Sequence, residues 1–324
     1  LRHVGFFDDF LKSEVNLNQS RLDRLSGHVE AIRKFLRENL NDYEKIEPQG
    51  SYALRTIIKP VRDGQEYDAD ILVYMSIDDE KDPKDYINEL YNCLAASSTY
   101  EDKVHRRTRC VWLDYAGDFH LDMVPCLVKA DGSQWICNRK ENELEQSDGT
   151  GYRDWFNDKS GFTDGNLKRV TRLLKHLRDH KRTFAVKSIL LTTLIGQTVY
   201  GESDGDNFNS VPDALKTVSN RLDDFLQRNA FMPTIENPVL SGESFTRHWS
   251  EENYSNFRNK FHTYRGKIDD AYDTVEHDES VDLWREIFGD AFGVKRGQSS
   301  EKSSVNSVSR TSSVTVPPRR PWSI

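Results

Sequence analysis

Cysteine is scarce in this chain, positive charge is in deficit, and no apolar run is long enough to span a bilayer. Four cysteines, Cys93, Cys110, Cys126 and Cys137, stand among 324 residues. None of their intervals has the short paired spacing of a zinc site, and the thiols are expected to stay reduced. Lys and Arg number 45 against 53 Asp and Glu, a formal charge of −8. That balance argues against a constitutive binder of duplex nucleic acid, whose surface would be strongly basic. The most apolar stretch, residues 188–195, falls well short of the ~20 residues a membrane helix needs, and no signal segment is read ahead of the first helix. A cytoplasmic protein is expected, with one large core or two lobes. No internal repeat is found.

What the chain does have is a set of acids in strand contexts. Residues 50–75 read GSYALRTIIKPVRDGQEYDADILVYM, and residues 119–125 read FHLDMVP. Ile71, Leu72 and Val73 form a buried-strand signal, and period-two geometry puts Asp68 and Asp70 on one face of it. In the second segment Leu121 and Met123 share one face and Asp122 takes the other. If the two strands are neighbours, three carboxylates converge, and their mutual repulsion calls for a cation. Oxygen ligands suit Mg²⁺, and a pair of such ions can activate a hydroxyl for in-line displacement at phosphorus. Residues 43–48 read as a strand and residues 51–57 as the opening of a short helix. Gly50 would let the backbone approach a phosphate, with Ser51 and free N–H groups as donors. An isolated Asp-x-Asp is ordinarily a solvated edge or a turn. The ordered set of Gly-Ser, Asp-x-Asp and a lone Asp on a second strand is what makes the pattern catalytic.

GSYALRTIIKP, EYDADILVYM and HLDMVP resemble the Gly-Ser motif and the three metal-binding acids of the DNA-polymerase-β-like nucleotidyltransferases. More narrowly, they resemble the bacterial cyclic-oligonucleotide synthases related to cyclic GMP-AMP synthase and oligoadenylate synthase, the CD-NTases. Thr56 and the lengthened segment between Ser51 and Asp68 suit that branch, and ENPVLSGESFTRHW at residues 236–249 extends the likeness to residues 6–290. The resemblance implies an α+β fold: a polymerase-β-like core with a mixed sheet, flanking helices and a long N-terminal spine helix, followed by a helical C-terminal lobe. It implies Asp68, Asp70 and Asp122 as catalytic and metal ligands for two Mg²⁺ or Mn²⁺ ions, and Gly50, Ser51, Lys175 and Ser188 as nucleotide-binding residues. Ribonucleoside triphosphates, ATP foremost, would be joined into a cyclic di- or trinucleotide with loss of pyrophosphate, in bacterial anti-phage signalling with a regulatory protein partner. The acids alone would equally serve a linear oligomer or an RNA or protein acceptor, and a non-catalytic nucleotide-binding scaffold is the remaining alternative.

In chain order, the expected organisation is a spine region at 1–42, a catalytic core at 43–163, a helical lobe at 164–296 and a Ser/Pro/Arg-rich disordered tail at 297–324, with 314–322 as its binding element. Asn18 caps a helix reaching Leu40, with Leu22, Leu25, Val29, Ile32, Leu36 and Leu40 on its buried face. Residues 104–113 read as one strand, and the run His105-Arg106-Arg107-Thr108-Arg109 as a solvated strand end. Residues 129–165 carry turns and read as the crossing between lobes. Trp135 and Trp155 read as core residues ahead of base-stacking ones. His176 and His180 have zinc spacing without a third ligand. Residues 231–249 read as irregular.

Overall fold

The computed structural model describes residues 1–62, 64–115 and 119–294. The tail at 297–324, with its proposed binding element, lies outside the described residues.

Asn18 is extended and its side chain accepts a hydrogen bond from the Arg21 N–H (2.9 Å), which caps helix α2 (Gln19–Asn39). A shorter helix, α1 (Val4–Phe10), precedes it. Leu25, Val29, Ile32 and Leu36 are buried along one face of α2. Leu22 departs from the expected stripe and is 36% exposed. At 3.6 residues per turn it sits roughly 50° off the centre line of the other four, in the first turn, and so falls on the solvent edge.

Strand β1 (Tyr43–Gln49) leads into a single helical turn, α3 (Gly50–Ala53), and then to β2 (Tyr67–Met75). Helix α4 (Pro83–Ala95) starts at a capping box of Asp82 and Asp85 with proline in its first turn. The single strand expected at 104–113 is a hairpin, β3 (Val104–Arg106) and β4 (Val111–Tyr115), with Arg106 opposite Val111. Strand β5 (Phe119–Val128) follows, parallel to β2. A parallel neighbour needs a crossover, and α4 with the hairpin supplies it. Along the other edge of β5, β4 pairs with the first half and β6 (Gln134–Asn138) with the second. β7 (Glu143–Ser147) then pairs with β6. The stretch read as a crossing thus holds two strands and helix α5 (Gly149–Gly161), capped by the Asp148 carboxylate on the Gly151 N–H. Strand β7 pairs only with β6 and buries none of its residues fully. Its sequence lacks apolar alternation for that reason.

The remaining helices are α6 (Asn166–Lys181), α7 (Ser188–Gln197), α8 (Val211–Arg228), α9 (Glu251–Asp273) and α10 (His277–Phe288). A small hairpin, β8 (Glu236–Asn237) and β9 (Leu240–Ser244), occupies the segment expected to be irregular. Among the described residues two large apolar cores result, beside a small third cluster of Leu72, Tyr74 and Cys126. One lies between the sheet and α2 with α4, built on Leu25, Ile32, Leu36, Ile71, Leu90, Leu121 and Met123. The other lies among the helices around Phe156, Leu174, Leu215, Phe257 and Trp284. Helix α1 joins this second core, with Phe7 edge-on to Trp284 at 4.9 Å. Among the described residues no helix is long and apolar enough to cross a membrane.

Ile32 is fully buried, so Ile32→Ala is expected to cost about 2–5 kcal/mol in denaturant unfolding. Leu22→Ala should stay within about 0.5 kcal/mol. Equal losses would return Leu22 to the core.

Candidate active site

The register of the parallel pair sets the site. Asp70 on β2 stands opposite Asp122 on β5, and Asp68 stands opposite His120. On the other face of the same strands Ala69, Ile71, Leu121 and Met123 are fully buried. Their burial fixes the register, since a slip of one residue would turn all the acids inward. Gln49 is the β1 partner of Asp70, and Gly50 follows it. Gly50 has φ +58°, and a Cβ built there would lie 2.5 Å from Asp70 Oδ2. Only glycine lets the backbone pass over that carboxylate. The short helix expected over 51–57 is cut to the one turn of α3, because Arg55 adopts a left-handed φ of +56°. Thr56 N–H then donates back to Ser51 O (2.9 Å).

The acids are under-neutralised. Burial first, then the charges of Asp122 and Asp68, push the Asp70 carboxyl up to about 7, against the pull of Lys175. Burial also raises Asp122, while Arg107 pulls it down. Asp122 Oδ1 is buried and has no hydrogen-bond partner. Crowded carboxylates with an oxygen-only donor set and an orphaned acceptor fit a hard divalent cation.

Helices α6 and α7 bring cations and a hydroxyl to the same place. Gly50, Ser51, Asp68, Asp70, Asp122, Lys175, Arg178 and Ser188 all line one cavity of about 590 Å³. Every residue singled out from the sequence as catalytic or nucleotide-binding is therefore in this cavity. Lys175 is 4% exposed, and its Nζ donates to Thr56 O and Oγ1, each at 3.1 Å. Burial, then the Arg178 charge, bring it down to about 7, with Asp179 and Asp70 opposing. Arg178 Nη1 donates to Ser188 Oγ (3.1 Å), at the first residue of α7.

The cationic run is the exposed end of β3 with the turn after it, as expected for His105, Arg106 and Arg107, but two of its arginines also reach toward the acids and the cavity. The break between β3 and β4 folds it back toward β5. Arg106 lies over the Tyr91 ring (4.2 Å) and Arg107 over Trp112 (4.6 Å). Arg107 Nη1 is 3.5 Å from Asp122 Oδ2. Arg109 makes a two-pronged pair with Glu145 (2.6 and 2.7 Å) and lines the cavity. No apolar alternation marks a four-residue hairpin break, so only the excess of arginine in an acidic chain hinted at these roles. Trp135 packs under Lys129 (3.7 Å) and Trp155 against the helical core, and neither lines the cavity; Tyr152 and Phe245 do. The His176 and His180 rings stack at 5.7 Å, with His176 brought down to about 4 by burial and then by His180. A second polar group went unread in the sequence. Glu66, Asp114 and His120 place ligand-type atoms within 4.8 Å of one another, with His120 between the two acids, facing Glu66 through Nε2 and Asp114 through Nδ1.

Residues 2–160 match the family model of the Second Messenger Oligonucleotide or Dinucleotide Synthetase domain. A c-di-GMP synthase from Roseivirga ehrenbergii is 28% identical, the match covering 85% of this chain and 81% of that one. Escherichia coli MS115-1 CdnC, solved with ATP, superposes with a TM-score of 0.71 at 19% identity, covering 89% of this chain and 98% of CdnC. Vibrio cholerae DncV cyclic AMP-GMP synthase, solved with a nonhydrolyzable GTP, gives 0.68 at 15% identity, over 89% and 95% of the two chains. Residues 2–160 thus match an oligonucleotide or dinucleotide synthetase domain, and the fold over most of the chain is that of CdnC and DncV. Its α+β fold, a mixed sheet flanked by helices, is the fold of those solved structures. The domain model and the Roseivirga relative are both of enzymes that build nucleotide second messengers.

Two outcomes follow for this site. Gly50→Ala should drop kcat by about 10-fold or more with an unchanged far-UV spectrum, because Asp70 must move aside; wild-type kcat would mean the carboxylate is free to shift. Raising the Asp70 carboxyl from 3.8 to about 7 means that ionising it destabilises the metal-free fold as pH rises through that window. Asp70→Asn should therefore raise the metal-free Tm at pH 8, by about 2–4 °C per kcal/mol of strain relieved, and not at pH 4. A variant that melts lower at pH 8 would contradict this.

Proposed function

We propose that this site joins ribonucleoside triphosphates into a cyclic di- or trinucleotide, releasing pyrophosphate at each bond. The observation that carries the reading is the Asp70–Asp122 register beside Asp68, roofed by Gly50 and sharing one cavity with Lys175 and Ser188. The triphosphate lies along Gly50–Ser51, whose N–H and hydroxyl groups donate to its oxygens. Lys175, Arg178 and Ser188 hold its far end. Asp68, Asp70 and Asp122 would hold Mg²⁺ or Mn²⁺, two ions in all, which supplies neutralising charge at the α-phosphate and acidifies the attacking ribose hydroxyl. Asp122, raised in basicity and with Oδ1 unpartnered, accepts that hydroxyl's proton. A second passage with the linear intermediate closes the ring.

Adenine and guanine nucleotides are the first substrates to consider. CdnC was solved with ATP, DncV and Bradyrhizobium diazoefficiens CdnG with GTP or its analogue, and the Roseivirga relative is a c-di-GMP synthase. CdnC also forms a complex with a HORMA protein, which supports a protein regulator here, in bacterial anti-phage signalling in the cytoplasm.

The test is to incubate the chain with the four ribonucleoside triphosphates, singly and together, with Mg²⁺ or Mn²⁺, and to analyse phosphatase-resistant products by mass spectrometry. Wild type should give a resistant product. Asp68→Asn with Asp70→Asn should give none while keeping the native spectrum. Full activity in that double variant would remove the assignment.

A further inference from the structure

We propose that Glu243 reads guanine in the nucleotide whose phosphates lie on Gly50–Ser51, with Asn237 as its positioning residue and Arg109 as a second contact. This rests on the site reading given above and adds the base to it. Gly50, Ser51, Lys175, Arg178 and Ser188 account for the anionic part of the ligand. The same cavity is also lined by Val124, Ile136, Tyr152 and Phe245, apolar and aromatic surfaces suited to the faces of a base. Among them stands a carboxylate, Glu243, on β9. The cavity has other acids, but Glu243 is on the strand that leads directly into Phe245, so it is placed at the base end, where N–H donors of the ligand would meet it.

Glu243 is held ready for such donors. Its side chain is 19% exposed. Asn237, 7% exposed, gives one Nδ2–H to Glu243 Oε2 (2.7 Å), and its own Oδ1 accepts from the Val239 N–H (3.1 Å). Asn237 is thereby locked in orientation and fixes the carboxylate in turn. Arg247 stands 3.7 Å from Oε1, at ion-pair distance. Each carboxylate oxygen has two lone-pair sites, so both oxygens keep acceptor capacity. Guanine alone among the four bases offers two adjacent donors, N1–H and N2–H, that match two carboxylate oxygens. Adenine and cytosine pair one amino donor with a ring-nitrogen acceptor, which a second carboxylate oxygen repels. Uracil has a single N–H between two carbonyls. Arg109 commits Nε and Nη2 to Glu145, leaving Nη1 as a donor for the guanine O6 or N7.

The test compares GTP, ITP and ATP, since inosine lacks only the N2 amino group. Wild type should favour GTP over ITP by about 10- to 100-fold in kcat/KM, the worth of one hydrogen bond to a charged group. The near-isosteric Glu243→Gln, which accepts at one atom only, should bring that ratio to within a few-fold of one, with ATP use unchanged or increased. Equilibrium binding of the same three nucleotides to the full chain, with and without the substitution, reads the base preference apart from turnover. If wild type binds GTP over ITP and the variant does not, the inference holds even where no product forms, and the failure belongs to the proposed reaction. Equal use or binding of GTP and ITP by wild type would overturn it, as would a guanine preference that survives Glu243→Gln.

Discussion

Three like charges are held together on one face of a parallel strand pair, and most of the molecule is arranged to tolerate that. Asp70 and Asp122 confront each other across β2 and β5, with Asp68 beside them. Nothing local favours this. The opposing face of the same strands supplies the free energy, because Ala69, Ile71, Val73, Leu121 and Met123 are buried against α2 and α4, and burial of each large apolar side chain contributes about 1.5–3 kcal/mol. The spine helix and α4 therefore act on the chemistry indirectly. They hold the register that keeps the acids at the cavity and the hydrocarbon in the core.

The helical part contributes the opposite sign of charge. Lys175 leaves the second core through the Leu174 and Leu177 face of α6 and ends on Thr56, just past the Gly-Ser turn. This is a buried ammonium bonded to neutral oxygens and to no carboxylate, and its depressed pKa is the consequence. A buried cation whose counter-charges, Asp179 and Asp70, only partly offset its burial is unfavourable, as the crowded acids are. Both are tolerated by cores that are otherwise well filled, a pattern expected where a site is kept for a ligand.

How much of this was legible depends on periodicity. Helix α2 and strand β5 announce themselves because apolar residues recur along a buried face, and β2 because its second half, Ile71–Met75, is buried on both faces and reads as a continuous apolar run, so the acids could be placed from spacing. Leu22 shows the limit of that logic, since the same spacing continues into a turn the core does not reach. Strands β6 and β7 and the β8–β9 hairpin were invisible because they bury little on either face and so impose no alternation. Glu243 sits on β9, and Glu145, which holds Arg109, sits on β7. The three acids and the Gly-Ser turn were thus readable, Lys175 and Ser188 came through resemblance, and Arg109 and Glu243 were not readable, because they reach the cavity only through the packing of hairpins whose short sequences carry no repeating apolar pattern.

The two electrostatic anomalies of the cavity also constrain each other. Asp70 is raised to about 7 in part by its fellow acids, Lys175 is lowered to about 7 in part by Arg178, and each partly relieves the other across the cavity. Adding a triphosphate alone would give Lys175 and Arg178 a partner while worsening the repulsion around Asp70. Adding a divalent cation alone would relieve the acids while disfavouring the buried ammonium. On the proposed reading, only the two together would neutralise both sides, so the charge arrangement would couple metal and nucleotide binding and disfavour partly loaded states. That coupling would require no moving part. It would follow from an excess of negative charge on a sheet and an excess of positive charge on a helix lining the same cavity.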